Sequence, residues 1–223
     1  MNTHTQSWLR VELHLHTHAS ADSLITPQKL IDHCARVGID RVAVTDHNSI
    51  SGALAAHALA PDQVIVGEEI ETTQGELLGY FMTELVPAGL EPIEAIRRLR
   101  SQGAVISVSH PFDRTRSAKW TDKQLLAIAP HVDAIEVFNA RCITHTPNLL
   151  AATFAEEQGL LATVGSDAHS LMEIGRATLS MPPFDDSNAF LKALTSSRSS
   201  TRLSPAFVHL FSRWANLVNN FRH

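Results

Sequence analysis

Apolar and polar positions follow two different periods along the chain. Short apolar runs, typical of buried strands, are separated by segments in which apolar residues recur every three or four positions, as on one face of a helix. This alternation indicates a mostly parallel sheet covered by helices, and the number of units predicts a closed or nearly closed α/β barrel. The predicted strands are residues 11–16, 41–46, 64–70, 76–82, 104–109, 134–138, 160–165 and 177–181.

Three of the predicted helices have recognisable ends. They occupy segments 26–38, 91–103 and 146–159, and each has a proline as its second residue and closes at a glycine. Proline suits the first helical turn, and glycine suits the residue after the last turn. The apolar residues that we expect on the buried faces of these helices are Leu30, Ile31, Cys34, Ile93, Ile96, Leu99, Leu150 and Phe154.

The last quarter of the chain has a different pattern. Residues 186–196 predict a helix that buries Phe190, Leu191 and Leu194, and residues 196–204 predict a connection rich in Ser and Thr. Apolar residues then recur at helical spacing, which predicts a terminal helix packed on the barrel. The alternative is a contact between copies of the chain, a homo-oligomer, or a docking stripe. The residues of this pattern are Phe207, Leu210, Phe211, Trp214, Leu217 and Phe221.

Length and charge limit the class of protein. The chain has 223 residues, of which 44% are hydrophobic, and this suffices for one substantial core. We therefore expect one domain over residues 1–223, with residues 183–223 as a C-terminal helical extension. A formal net charge of −5 argues against a broad nucleic-acid surface. The sequence shows no secretion signal and no apolar run of membrane-spanning length, which predicts a cytoplasmic protein without membrane contact.

Metal-competent side chains follow several predicted strands at their C-terminal ends. Because such ends converge on one face of a parallel barrel, these residues are expected to be neighbours in space. Any one of these residues alone is explained equally well by a structural role, in a turn, in a loop or in a solvated pair of charges. Burying them together would cost several kcal/mol per charge without compensation, which divalent ions supply. The residues are His14, His16, Asp46, His47, Glu68, Glu69, His110, Asp167 and His169.

The donor types indicate which ions and which chemistry to expect. Imidazoles and carboxylates without a nearby cysteine suit Zn, Mn or Fe. Such ions generate hydroxide at neutral pH and hold an anionic substrate, so the implied reaction is hydrolysis, and the expected substrate is a phosphate ester. Asp46 is expected to orient a neighbouring ligand.

Four segments together resemble the PHP family, the polymerase and histidinol phosphatase metallohydrolases. They are His14-Leu15-His16-Thr17, Thr45-Asp46-His47, Ser109-His110-Pro111 and Gly165-Ser166-Asp167-Ala168-His169. The resemblance covers approximately residues 11–175. It implies a distorted (β/α)7 TIM-like barrel that binds two or three divalent metal ions (Mn, Zn or Fe), often with phosphoesterase activity.

The resemblance also implies a ligand set. His14, His16, Glu69 and Asp167 would hold the first metal, and Glu69 would bridge to a second metal that also takes His110. Asp22, His47 and His169 would hold the third. Glu69, Asp167 and His169 are the implied catalytic residues, acting through metal-bound hydroxide. Glu69 is preferred to Glu68 because it matches the family's Gly-x-Glu pattern at Gly67.

The sequence departs from the family pattern at two ligands. The segment that holds Asp22 is one residue longer than the usual Ser-Asp-Gly run and lacks its glycine. Glu76 stands where the family commonly has a histidine. A carboxylate there favours Mn or Fe over Zn at the second site; alternatively this second site is weak or empty.

Three further residues are expected near the substrate. Arg114 and Arg141 follow the C-terminal ends of predicted strands, and from there their side chains can reach a bound phosphate. Arg114 can equally pair with a carboxylate. His18 continues the alternation of His14 and His16 and is expected to face the substrate or support a ligand.

The leading hypothesis is a metal-dependent phosphoesterase, a phosphatase or phosphodiesterase acting on a small phosphorylated metabolite, a nucleotide or an oligonucleotide end. One alternative is an amidohydrolase that cleaves C–N bonds, which often needs a lysine inside the barrel. The other is an inactive metal-binding accessory module. The four lysines fall in predicted helices or loops, which disfavours the first alternative, and the nearly complete ligand set disfavours the second; the lysines are Lys29, Lys119, Lys123 and Lys192.

Overall fold

The computed structural model describes residues 8–116 and 118–220, which form a nine-stranded sheet with helices packed against it. Along the sheet the strands follow the order β7-β6-β5-β4-β3-β2-β1-β8-β9. Their bounds are β1 (Leu9–Glu12), β2 (Arg41–Val44), β3 (Val64–Glu71), β4 (Glu76–Tyr80), β5 (Val105–Val108), β6 (Ala134–Asn139), β7 (Leu161–Gly165), β8 (Ala177–Met181) and β9 (Arg198–Thr201).

Seven α-helices are present in the described part of the chain. The predicted helix ends are confirmed at α1, where Thr26 accepts a hydrogen bond from the backbone of Lys29 and Gly38 adopts φ 70° after the last turn. The helix bounds are α1 (Pro27–Val37), α2 (Ser51–Leu59), α3 (Pro92–Ser101), α4 (Asp122–Ile128), α5 (Thr146–Gln158), α6 (Ser187–Leu194) and α7 (Val208–Asn220), and a short 3-10 helix covers Ala129–His131.

The predicted α/β barrel is confirmed, but only half of its strand pairs are parallel. Strands β1-β2-β3 and β5-β6-β7 are parallel within each group, whereas β4 is antiparallel to both of its neighbours. A tight turn over residues 72–75 joins β3 to β4, which forces this reversal. As a result Glu76, at the beginning of β4, pairs with Glu71 at the end of β3.

The barrel closes just beyond the ends of β1 and β7. Leu15 and Ala168 form an isolated parallel bridge, and the backbone of Asp167 donates to His14 O at 2.8 Å. Strands β8 and β9 extend the sheet from β1, each antiparallel to its neighbour. The closing contact therefore lies where the predicted metal ligands follow both strands.

Two apolar clusters fill the molecule. The outer core lies between the sheet and helices α1 to α5, and the inner core joins the barrel interior to α6. Phe190 and Leu194 are buried in the inner core, as predicted. The guanidinium of Arg41, at the beginning of β2, lies 5.3 Å from the ring centroid of Phe184. Phe184 therefore lies at the end of the barrel where β2 begins.

Several local predictions are wrong. Ile93 and Leu150 are 51% and 49% exposed, so their helices turn other residues inward. The predicted strand over residues 11–16 is too long, because β1 ends at Glu12 and the residues beyond it, Leu13 and Leu15, pack in different cores. The predicted connection over residues 196–204 contains strand β9.

The terminal helix α7 forms, but its apolar stripe does not pack on the barrel as expected. The helix buries Val208 and Ala215 instead. Phe221 lies outside the described residues. Within residues 8–116 and 118–220, no helix is both long and apolar enough to span a membrane. The exposed members of the stripe are Phe207, Leu210, Phe211, Trp214 and Leu217.

Candidate metal centre

The carboxylate of Glu69 lies at the centre of a group of histidines. Its oxygens are 3.2 Å from His14 Nε2, 3.4 Å from His16 Nε2, 3.1 Å from His47 Nδ1 and 3.0 Å from His110 Nε2. Glu69 lies near the C-terminal end of β3, and the histidines follow β1, β2 and β5. The convergence of strand ends that the sequence predicts is therefore present.

Two aspartates extend this group on the side of β7. Asp167 Oδ1 lies 3.2 Å from His16 Nε2 and 3.5 Å from His169 Nδ1. Asp22 Oδ2 lies 2.9 Å from His169 Nε2 and 3.7 Å from His47 Nε2. The longer segment that carries Asp22 thus still brings its carboxylate to the expected histidines.

Glu76 completes the group on the side of β4. Its Oε2 lies 3.4 Å from His110 Nε2, and its side chain is 10% exposed. It reaches the other ligands only because the antiparallel direction of β4 places the first residue of the strand at the end of β3. We call the nine predicted ligands, all of which the structure brings together, the Glu69 cluster; they are His14, His16, Asp22, His47, Glu69, Glu76, His110, Asp167 and His169.

The cluster contains buried polar atoms that the protein itself leaves unpaired. His14 Nε2, His16 Nε2, Glu69 Oε2 and Asp167 Oδ1 are inaccessible and have no hydrogen-bond partner within the described ranges 8–116 and 118–220. Such atoms are costly unless another group binds them. Three sets of ligand atoms lie within 4.8 Å of one another, so the donors fit divalent ions; the sets are His14 with His16 and Glu69, His16 with His47 and His169, and His47 with Glu69 and Glu76.

Neighbouring charges hold Glu69 and Asp167 ionised, whereas burial and the adjacent Glu69 raise the pKa of Glu76. Burial opposes ionisation, but His14 and His47 hold the pKa of Glu69 well below its usual value. For Asp167 the opposing burial is overcome chiefly by the Arg116 guanidinium, and its pKa is also lowered. Burial, followed by the neighbouring His169 and His47, lowers the pKa of His16, which favours the neutral imidazole that a metal requires.

Glu136 on β6 orients two of the ligands and is not among the residues predicted from the sequence. Its carboxylate accepts hydrogen bonds from His14 Nδ1 at 2.9 Å and from the His110 backbone at 2.9 Å. The first bond fixes the His14 tautomer and directs Nε2 toward Glu69. A side chain at Gly165 would collide with both His14 and Glu136. The signal that could have revealed Glu136 is a single charge within an apolar strand.

Asp46 supports the loop after β1, as the sequence suggests. It accepts hydrogen bonds from Thr17 N at 2.6 Å and from Ser20 Oγ at 2.7 Å. Ser20 Oγ in turn is hydrogen-bonded to His16 Nδ1 at 3.3 Å. Asp46 therefore positions His16 through Ser20.

Two ligands have a backbone conformation that is unfavourable for side chains with a Cβ atom. His110 adopts φ 22° and Asp167 adopts φ 52°. Such strained residues concentrate at functional sites, where the surrounding structure maintains them.

Of the predicted substrate residues, only Arg141 lies at the cluster. Its Nη1 is 2.6 Å from His169 Nδ1, and its Nε is 3.2 Å from Glu173 Oε1. The side chain of Arg114 is 58% exposed and donates to Trp120 O, and His18 is exposed. Within the described part of the chain, neither Arg114 nor His18 contacts the cluster.

Arg116 is a second residue at the cluster that is not among those predicted from the sequence. Its guanidinium pairs with Asp167 and, at 3.1 Å, with Asp113. It lies on the irregular loop after β5, and the hydrophobic pattern of the sequence does not specify the conformation of such a loop. Arg116 and Arg141 face a mouth cavity of about 530 Å³ above the cluster, which is also lined by Asp22, Thr115, Ile143, Ala206, His209, Ser212 and Arg213.

Two known protein families together match most of the chain. Residues 12–152 match the family described as "PHP domain", and residues 145–199 match the family described as "PHP-associated". An uncharacterized protein of Methanocaldococcus jannaschii is 40% identical over 172 residues, which are 76% of this chain and 69% of that protein.

Two solved structures share the fold at low sequence identity. One is a two-domain protein from Bacteroides vulgatus that contains a predicted PHP-like metal-dependent phosphoesterase, with TM-score 0.72, 18% identity and coverage of 88% of this chain and 65% of that one. The other is the lesion-specific endonuclease EndoQ of Pyrococcus furiosus, with TM-score 0.67, 15% identity and coverage of 86% and 57%. This chain therefore spans less than two thirds of either protein.

Proposed function

Because this chain belongs to the PHP family, we propose that it is a metal-dependent hydrolase of phosphate esters. The Glu69 cluster carries the proposal, because unpaired carboxylate and imidazole atoms converge below an open mouth lined by Arg116, Arg141 and Arg213. The related solved proteins include a predicted phosphoesterase and an endonuclease, which supports the same class of reaction.

The ligand atoms divide into overlapping groups. His14, His16, Glu69 and Asp167 would hold one ion, and Asp22, His47 and His169 another. Glu69, Glu76 and His110 would hold the third, where two carboxylates favour Mn or Fe over Zn. When bound, such ions lower the pKa of a coordinated water and polarise a phosphoryl oxygen.

Three further residues orient these donor atoms toward the centre of the cluster. Glu136 directs His14 Nε2 to the centre, and Asp46 does the same for His16 through Ser20. Arg116 binds one oxygen of Asp167 and leaves Oδ1 facing His16. From its position at the mouth, Arg116 would also stabilise negative charge on a phosphate.

Two alternatives are less well supported. All four lysines are exposed on helices or on the loop before Trp120, so none offers the internal carboxylate bridge that many amidohydrolases need. An inactive module would tolerate lost ligands, whereas all nine predicted ligands converge here. The mouth cavity of about 530 Å³ suits a small phosphorylated metabolite, a nucleotide or an oligonucleotide end.

A substrate panel tests the proposal. Protein stripped of metal and reloaded separately with Mn, Zn or Fe is assayed on phosphomonoesters, phosphodiesters and cyclic amides, with metal content measured in each sample. We expect turnover of at least one phosphate ester, dependent on the added metal. Turnover of amides alone, or full metal content with no turnover of any substrate, would contradict the proposal.

A further inference from the structure

Helix α7 is fixed against the rim of the Glu69 cluster. Asn219 Nδ2 donates to Ala21 O at 2.7 Å, next to Asp22, and Arg141 donates to Ser212 Oγ at 2.6 Å. Neither family match extends beyond residue 199, so α7 belongs to a part of the chain that the family patterns do not specify.

An apolar cavity lies between α7 and the loops after β1 and β7. Its volume is about 200 Å³, and we call it the α7 pocket. Two of its aromatic side chains, Phe211 and Trp214, are 44% and 60% exposed, a large exposure for side chains of this type. The apolar residues that line the pocket are Leu24, Ile25, Leu171, Phe211, Trp214 and Ala215.

The α7 pocket adjoins the cluster through one residue. His169 lines the pocket, and the same side chain lies 2.9 Å from Asp22 and 2.6 Å from Arg141, both of which line the mouth cavity. A single side chain, His169, therefore separates the α7 pocket from the mouth above the cluster. Lys29 also lines the pocket and Arg213 lines the mouth, so each of the two cavities has a basic side chain in its wall.

We propose that the α7 pocket binds the aromatic ring of a nucleotide whose phosphate lies at the Glu69 cluster. This inference rests on the proposed function and names its substrate class. The pocket is smaller than the roughly 300–1,000 Å³ of sites that enclose a whole drug-sized ligand, so it suits a single ring system. Exposed aromatic side chains provide the stacking surface that bases of any sequence use.

A second copy of this chain is the rival occupant. The exposed Leu210 and Leu217 on α7 would be central to such an interface, yet neither lines the pocket. The position of the pocket beside His169 and its basic surroundings favour an anionic ligand with one ring.

The test compares substrates that share a phosphate and differ in the base. The metal-loaded protein, Trp214→Ala and Trp214→Phe are assayed on a nucleoside 5′-monophosphate and on ribose 5-phosphate, with Leu210→Ala as the matched control. For Trp214→Ala we expect kcat/KM on the nucleotide to fall about 5- to 150-fold, the range of base stacking by alanine substitution. Ribose 5-phosphate should change less than about twofold, and Trp214→Phe should recover most of the loss.

A binding measurement separates this inference from the proposed function. We expect a nucleoside without phosphate to quench the tryptophan fluorescence of the metal-free protein and of Leu210→Ala, but not of Trp214→Phe, which retains only Trp8 and Trp120. This readout judges the pocket even if no phosphate ester is turned over. Equal losses on both substrates, no loss on either, no quenching, or a Trp214→Ala effect confined to the oligomeric state would each overturn the assignment.

Discussion

Two glutamates are equally buried but lie in opposite surroundings. Glu12 on β1 is 0% exposed, and its carboxylate accepts hydrogen bonds from Ser166 N at 2.9 Å and from Gly175 N at 3.0 Å. Glu69 on β3 is 1% exposed and faces imidazole nitrogens instead. Among the described residues its Oε2 has no hydrogen-bond partner.

The difference shows what distinguishes a buried structural carboxylate from a ligand. Burial raises the pKa of Glu12 to about 7, because backbone donors compensate only part of the lost hydration. The histidines around Glu69 outweigh burial and keep its pKa low. A buried carboxylate that retains its charge and lacks a hydrogen bond on one oxygen is prepared for a cation.

The largest effect is expected from Glu69→Gln. The amide keeps the shape of the side chain but removes the charge that the four histidines surround, so the ions lose their shared ligand. We expect turnover to fall by more than about 100-fold, beyond the 10- to 100-fold typical of residues that only support a ligand. Metal content by mass spectrometry and kcat on the best phosphate ester measure this.

Glu68→Gln is the matched control for Glu69→Gln. Glu68 is the neighbouring residue on β3, it is also buried, and its carboxylate accepts from Val86 N at 3.0 Å. Burial raises the pKa of Glu68 to about 7, so the two variants are compared at pH 8, where Glu68 is largely ionised and both substitutions remove a negative charge. Metal content should then stay intact in Glu68→Gln. Equal metal loss in both variants would show that charge in β3, and not ligation by Glu69, controls binding.

A smaller effect is expected from Glu136→Gln. An amide at this position can present its NH₂ group to His14 Nδ1 and so release the fixed tautomer. Metal affinity or activity should fall about 10- to 100-fold, as for other partners of metal-bound histidines. Titration of the metal-free protein with Mn or Zn measures the affinity, and affinity equal to that of the unaltered protein would contradict the role of Glu136.

The next prediction concerns the arginines of the loop after β5. Arg116→Ala removes the guanidinium beside Asp167, and we expect kcat/KM to fall roughly tenfold, the lower range for a lost charged hydrogen bond. Arg114→Ala should have a smaller effect, because Arg114 points to Trp120 O. The reverse order in steady-state kinetics would restore Arg114 as the phosphate contact.

The sequence predicts the parts of the site that depend on strand ends. His14, Glu69, His110 and Asp167 follow apolar runs, and parallel strands bring such positions together whatever the loops do. Glu76 converges for another reason, because the reversal of β4 turns the beginning of a strand toward the cluster. Its place was suggested by family resemblance and not by the strand pattern.

The remaining parts depend on tertiary structure. Arg116 was missed because it lies on an irregular loop, and Glu136 because its partners follow β1 and β5, far away in sequence. Helix α7 was predicted from its apolar spacing, but spacing does not specify which face packs. The helix buries Val208 and Ala215, and its hydrogen bonds through Ser212 and Asn219 fix this orientation.

The last prediction concerns the pH dependence of stability at Glu12. The pKa of Glu12 is about 7 in the folded protein and 4.5 in the unfolded chain. Between these two pH values the folded protein therefore binds more protons than the unfolded chain. Stability from this group is therefore fully present below pH 4.5 and is lost as the pH rises toward 7, by at most about 1.4 kcal/mol per pH unit. Glu12→Gln should flatten this decline in urea unfolding curves measured from pH 5 to 8, with Glu156→Gln on the exposed face of α5 as control. An unchanged slope in Glu12→Gln would mean that the hydrogen bonds from Ser166 and Gly175 keep Glu12 ionised despite burial, and the contrast with Glu69 would then rest on the imidazoles alone.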